Sequence, residues 1–263
     1  MVKQTTGQPL RSAERMLDVL ESFSTAQPAL SIAEISARLD LAPSTVRRLL
    51  NALEEHGFVR SDPNSGRFAP HYQIVRLAAV AVQGNDLMSA ASPAMDELLE
   101  RTGEAVQLTV RSGSDTVFLS RRESQKLIKI FSPIGTRSPA WDGRASGKIH
   151  LAWLPEADLL EMLPPEEEWP VSDGPNASRT RAEFRADLAT VRERGYSLND
   201  EETARDVWAV GAPVRDHTGN VVAAISVPAL KARALDPGRA PELIEAVMSA
   251  GAAISRRLNY FED

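Results

Sequence analysis

The chain has 263 residues, 43% of them hydrophobic and 25% charged, with a formal net charge of −6. That length fits two domains of ordinary size, each with its own core, and the acidity excludes a surface that grips nucleic acid everywhere. Cysteine is absent, so disulfides and thiolate chemistry are excluded, and the four histidines (His56, His71, His150, His217) are too dispersed for a local metal cluster.

Met1–Pro9 is polar and unpatterned and reads as a disordered arm over residues 1–9. From Ser12, a candidate N-cap, the apolar positions Ala13, Met16, Leu17, Leu20 and Phe23 recur at helical spacing until Gln27-Pro28 breaks the run. Ser31-Ile32-Ala33-Glu34 is a capping box that opens a short second helix through Leu39. Asp40-Leu41-Ala42 is a tight turn, and Pro43 suits the first position of a third helix, which buries Val46, Leu49, Leu50 and Leu53 and ends near Gly57. Phe58–Arg60 and Arg67–Ala69, around the turn Asp62–Gly66, form a β-hairpin. Three helices followed by a hairpin is the order of a winged helix, placed over residues 10–70. Tyr72–Gln83 is a further amphipathic helix closed by Gly84-Asn85, a linker over residues 71–85.

Residues 86–263 alternate differently. Leu87–Arg101 is helical. Ala105–Arg111, Thr116–Ser120 and Leu127–Phe131 read as strands. Helices follow over Gly147–Trp153, Pro155–Leu163 and Arg179–Arg194. Val207–Val214 and Val221–Val227 are strands around the turn His217–Asn220, and a last helix runs from Ala240 to about Tyr260. Strands among helices without strict βαβ alternation predict an α+β fold for this half. Pro164–Glu168 reads as a solvated loop. The longest apolar run, Leu77–Val82, is too short for a bilayer, and no secretion signal is visible, so a cytoplasmic protein without a membrane partner is expected.

Charge distribution points to DNA. Leu41–Leu53 carries Arg47 and Arg48 and no acid, whereas Pro155–Pro170 carries six acids and no base. In a helix-turn-helix the second helix enters the major groove by its N-terminal residues, here Pro43, Ser44, Thr45, Arg47 and Arg48. Ser44, Thr45 and the helix N-terminus suit phosphates, and either arginine can reach guanine with two hydrogen bonds. Arg67 beside the hairpin tip suits a wing contact. Arg11 and Ser31 complete the candidate DNA-contacting set. The same arginines also fit a small helical bundle with a solvated face. Two arginines are a small footprint, which favours a two-fold dimer on a pseudo-palindrome.

Beyond these signals the chain resembles the IclR family over nearly its whole length. The resemblance is carried by Ser12-x-x-Arg15-Met16-Leu17-Asp18-Val19-Leu20, by Leu41-Ala42-Pro43-Ser44-Thr45-Val46-Arg47-Arg48-Leu49-Leu50-x-x-Leu53 and by His56-Gly57-Phe58-Val59. It continues in Thr102–Val106, Gly147-Lys148, Arg194-Gly195-Tyr196, Asp200–Glu202, Gly211–Val214 and Ala223–Val227. It implies a winged helix-turn-helix joined to a GAF-like effector domain over residues 86–263, and homodimers or homotetramers. It further implies double-stranded operator DNA as partner, and control of a catabolic operon by a small organic acid, most members being repressors. No cofactor, metal or catalytic residue is implied.

By the same resemblance the effector lies against Arg144-Ala145-Ser146-Gly147, facing positions that match Asn199, Val207, Ala209, Ser226 and Pro228. Asn199, Ala209, Pro228 and Asp206 depart from residues common there (an acid, cysteine, serine and glycine in turn), which makes one side of the pocket less polar. Trp141 is a candidate apolar wall, Trp208 a second, and Arg144 a carboxylate partner, so an aromatic acid is favoured. The competing readings make both tryptophans core residues and pair Arg144 with Asp142. Two other functions compete: a constitutive DNA-binding protein with a vestigial sensor, and a hydrolase using Asp142, Asp200 and Glu201, with Glu202 and His217 also available. No nucleophile elbow, HExxH, P-loop or dinucleotide glycine set supports the latter.

Overall fold

A computed structural model describes residues 11–24, 26–83, 86–170 and 172–261. The arm over 1–9 and the Gly84-Asn85 helix end lie outside the described residues. The chain divides into two compact units, residues 1–85 and 86–263.

In the first unit, α1 (Arg11–Glu21) and α2 (Ile32–Leu39) precede α3 (Pro43–Glu55) and the hairpin β1 (Val59–Ser61) and β2 (Phe68–Pro70), followed by α4 (Tyr72–Gln83). Ser12 is not a cap, because α1 already begins at Arg11. The capping box of α2 is formed: Ser31 Oγ accepts the Glu34 N–H, and Glu34 accepts the Ser31 N–H at 2.7 Å. Asp40 ends α2 in the left-handed region at φ 51°, which a short polar side chain tolerates, and so turns the chain into α3. Val19, Ile35, Val46, Leu49, Leu50, Leu53, Val59 and Phe68 fill the core. Leu30 exchanges both backbone hydrogen bonds with Phe68, adding a minimal third strand to the wing.

The second unit is a three-layer α+β sandwich. Its antiparallel sheet comprises β3 (Val106–Ser112), β4 (Asp115–Arg122), β5 (Arg137–Pro139), β6 (Ser197–Asp200), β7 (Val207–Arg215) and β8 (Val221–Leu230), in the order β5-β4-β3-β8-β7-β6. Strand alternation gives each face a core. Val106, Leu108, Trp208, Val210, Ala212, Ile225 and Val227 pack on α5 (Asp86–Thr102) and α10 (Arg239–Arg257), close to the short α9 (Lys231–Ala234). The opposite face carries α6 (Ala145–Ala152), α7 (Glu156–Met162) and α8 (Arg181–Arg194), with Ile149, Leu159, Phe184 and Leu188 buried between them. The acidic stretch after α7 holds one exposed 3-10 turn, Glu166–Glu168.

Two strand readings change. Leu127–Phe131 is not a strand: Leu127 is 99% exposed, Ile128 and Phe131 are also exposed, and the third strand is Arg137–Pro139, paired with Asp115–Val117. Apolar runs make strands only when a sheet edge is free to receive them, and here β5 takes the edge of β4. The edge strand β6 went unread because it buries Ser197 and Asn199 rather than apolar residues.

Candidate DNA interface and effector site

α3 starts on Ala42 with Pro43 in its first turn and no side-chain cap. Pro43 brings no N–H and the Thr45 N–H goes to the Ala42 carbonyl at 2.9 Å, so the Ser44 N–H is the first-turn donor left to an outside acceptor such as phosphate. Ser44, Arg47 and Arg48 are exposed and, at i, i+3 and i+4, share one helix face, with Thr45 half-buried beside them. Arg11 is exposed at the start of α1. Two candidates are committed inside the domain. The Ser31 hydroxyl caps α2, and the Arg67 guanidinium donates to the Ala29 carbonyl and to Glu34 at 2.8 Å. Hydrogen bonds from the Ser31 backbone and hydroxyl, then from Arg67, hold the Glu34 carboxyl down at about 2. Arg67 thus ties the wing to α2. Arg60, exposed on β1, is a wing cation that the sequence reading passed over.

In the second unit, strand register assembles residues far apart in sequence. Asn199 faces Ala209, which faces Pro228. The next rung on the same face runs Ser197, Gly211, Ser226, Gln107 and Arg121. Val207 lies on this face one step further along β7. The start of α6 sits on the second rung: Ser197 Oγ donates to the Ala145 carbonyl at 2.7 Å, and a Cβ on Gly211 would lie 3.3 Å from that carbonyl. Gly147 permits an equally close approach, since a Cβ there would fall 2.3 Å from the Ala140 oxygen. Ala145, Ser146, Asn199, Ala209, Ser226 and Pro228 are all buried.

Polar groups on this face divide into spent and unspent. Asn199 Oδ1 accepts the Glu202 N–H at 2.9 Å and its Nδ2 donates to Thr203 at 2.8 Å, so its amide holds the loop after β6. Arg144 is ion-paired with Asp142, which also accepts its backbone N–H at 3.0 Å; burial lowers the guanidinium pKa. His150 receives a 3.0 Å contact from Thr109 and is held neutral, its pKa at about 3, by burial and then by the nearby Arg111. Gln107 and Ser226, buried cross-strand neighbours, make no side-chain hydrogen bond among the described residues. Their polar atoms are not among the fully enclosed ones without a partner, so this pair stays open to a ligand that takes the bonds it leaves unmade.

The tryptophans lie on opposite faces. Trp141 packs beside Trp169, ring centroids 6.1 Å apart, on the α6–α8 side. Trp208 points into the α5–α10 core and is not a second wall of the pocket. Asp142, Asp200 and Glu201 do not converge as a catalytic group: Asp142 holds Arg144, while the other two pair with Lys231 at 2.7 Å. Among the described residues no cluster of three or more His, Asp or Glu could hold a metal, and no helix is long and apolar enough to cross a membrane.

A family model for the IclR helix-turn-helix domain matches residues 12–63, and one for the bacterial transcriptional regulator IclR C-terminal region matches residues 79–256. The HTH-type transcriptional regulator XynR of Escherichia coli is 32% identical over 251 residues, covering 95% of this chain and 98% of the relative. The HTH-type transcriptional repressor AllR of E. coli is 28% identical, covering 82% of this chain and 79% of the relative. A crystal structure of an IclR homolog complexed with 4-hydroxybenzoate, from Microbacterium hydrocarbonoxydans, superposes with a TM-score of 0.80 at 24% identity, covering 94% of this chain and 99% of that one.

Proposed function

The chain belongs to the IclR family of bacterial transcriptional regulators, ligand-responsive DNA-binding proteins, and from that premise we propose that it is a cytoplasmic repressor of a catabolic operon released by a small aromatic acid. The observation that carries the ligand half is the unpartnered Gln107–Ser226 pair, on the rung that the start of α6 meets at Gly211. A carboxylate or phenol there accepts or donates the bonds these groups lack, and backbone N–H groups at the helix start favour an anion. Trp141 supplies an apolar wall, with Ala145, Ser146, Val207, Ala209 and Pro228 around the ligand and Asn199 holding the adjoining loop. Arg144 reaches the carboxylate only by leaving Asp142. An aromatic acid, 4-hydroxybenzoate, is also what the structural relative is complexed with, and AllR is a transcriptional repressor.

In the DNA half, Arg47 or Arg48 reads a base, while Ser44, Thr45, Arg11 and Arg60 take phosphates and Arg67 steadies the wing. Homodimers double this footprint. Support for pairing comes from α4, where Tyr72, Val75, Leu77 and Val80 are exposed; several large apolar side chains uncovered on one helix favour burial against a second copy. Tetramers are the further assembly.

The test is a mobility shift on DNA from the protein's own promoter region, with and without 4-hydroxybenzoate. Release of DNA by the acid, weakened in Ser226→Ala at unchanged operator affinity, is expected. Equal ligand potency in Ser226→Ala misplaces the pocket. Operator affinity indifferent to every acid tried favours the constitutive DNA-binding reading.

A further inference from the structure

A second concavity lies at the other end of β7. β6 pairs β7 only as far as Gly211, and Pro213 brings no N–H to the ladder, so this edge of β7 is uncovered from Ala212 onward. α10 closes it to strand addition. A Cβ on Gly251 would sit 2.8 Å from the Pro213 oxygen, and Ser255 Oγ accepts the Arg215 N–H at 2.9 Å. What stays open is a cleft of about 450 Å³ between α10 and the C-terminal end of α6, walled by Trp153, Pro213, Met248 and Tyr260. Arg215 and Arg256 line it, and no acid does among the described residues.

Arg215 is held ready. Its guanidinium stands 4.7 Å from the Trp153 ring centroid and 6.0 Å from that of Tyr260, and Nη1 donates to the Gly219 carbonyl at 2.8 Å. One nitrogen is thus anchored while the remaining donors have no carboxylate partner among the described residues. A planar cation fixed among aromatic rings suits a carboxylate with a flat apolar body, and the volume is within the range of small-molecule sites. We propose that this cleft is a second ligand site, taking a small organic anion whose carboxylate meets Arg215 and whose flat body lies against Trp153, Met248 and Tyr260. It is distinct from the effector rungs, since Trp153 ends α6 whereas Ala145 begins it. The two sites share α6 and β7 as common walls.

Photolabelling of the full chain with 4-azidobenzoate, followed by peptide mapping, tests this. Saturable labelling of the Trp153 or Met248–Tyr260 peptides is expected, and it should fall about tenfold in Arg215→Gln, the size of losing one charge-assisted bond. It should be unchanged in Ser226→Ala. On the unmodified protein, 2-naphthoate should suppress the cleft label and neutral naphthalene-2-methanol should not, a comparison independent of how any variant folds. Label confined to the effector rungs, undiminished cleft labelling in Arg215→Gln, or equal suppression by acid and alcohol overturns the proposal.

Discussion

Replacing Lys148 by methionine isolates the cost of one buried charge. Lys148 is fully buried on α6, with Nζ 2.7 Å from Asp187 on α8 and 2.6 and 2.7 Å from the two oxygens of Glu202. Methionine keeps much of the side-chain volume but strands Glu202, whose side chain is only 13% exposed. Removing one member of such a set destabilises by about 3–5 kcal/mol, a large part of the ~5–15 kcal/mol that holds a domain together. Burial raises the Glu202 pKa above 4.5, and Lys148 works against that rise. A raised carboxyl pKa means that the folded state binds the extra proton, so stability falls as pH rises from the unfolded value through the folded one. Without Lys148 the rise is larger, and the penalty should be near full at pH 7.5 and shrink as the pH is lowered toward 5. All four tryptophans (Trp141, Trp153, Trp169, Trp208) lie in the second unit, so their emission during urea unfolding reports that unit alone. Lys148→Met combined with Glu202→Leu should regain most of the loss. A loss below about 1 kcal/mol at pH 7.5, or one that does not shrink with acid, would refute the reasoning.

Three further outcomes are expected. Arg47→Ala or Arg48→Ala, whichever residue reads a base, should cost about 1–3 kcal/mol of operator binding in a titrated mobility shift, and unchanged affinity in both removes them from recognition. Gly147→Ala sets a Cβ 2.3 Å from the Ala140 oxygen and 2.9 Å from its carbon, both backbone atoms, so the unfolding midpoint of the second unit should drop by the equivalent of about 1–3 kcal/mol. His150, depressed to about 3, makes folding weaker as the pH falls from 6.5 toward 3, because only the unfolded chain takes the proton. His150→Gln should flatten that acid slope in urea titrations between pH 6.5 and 4.5, and an unaltered slope assigns it to other groups.

The winged unit was readable because its signals are local. Ser31 and Glu34 cap α2 within four residues, Pro43 opens α3, and Asp62–Gly66 turns the hairpin, each close to where it was expected. The outer strands of the second sheet were not, because an edge strand is defined by what it pairs with. Leu127–Phe131 has the composition of a strand and no partner, while Arg137–Pro139 has a partner and hardly the composition. Ser197–Asp200 shows polar residues at its buried positions because they bind neighbouring elements: the Ser197 hydroxyl donates to the Ala145 carbonyl and the Asn199 amide holds the loop after β6.

The candidate site shows the same limit at finer scale. The resemblance supplied Ser226 and the start of α6, but Gln107 appears only once β3 is seen to pair with β8. Which polar groups are already spent is equally a three-dimensional fact. Asn199 and Arg144 carry the right chemistry for an acid, yet one holds the Glu202–Thr203 loop and the other holds Asp142. For the proposed effector pocket, these commitments define a route by which ligand binding is felt beyond it. Asn199 fixes the backbone of Glu202, Glu202 fixes Lys148, and Lys148 sits on the same α6 whose first turn borders the proposed effector pocket. An acid that draws Asn199 away loosens that chain at its first link. In Asn199→Ala, with the Glu202 backbone released, 4-hydroxybenzoate should bind yet shift operator affinity less. Unaltered coupling in that variant would show that the signal leaves by another route.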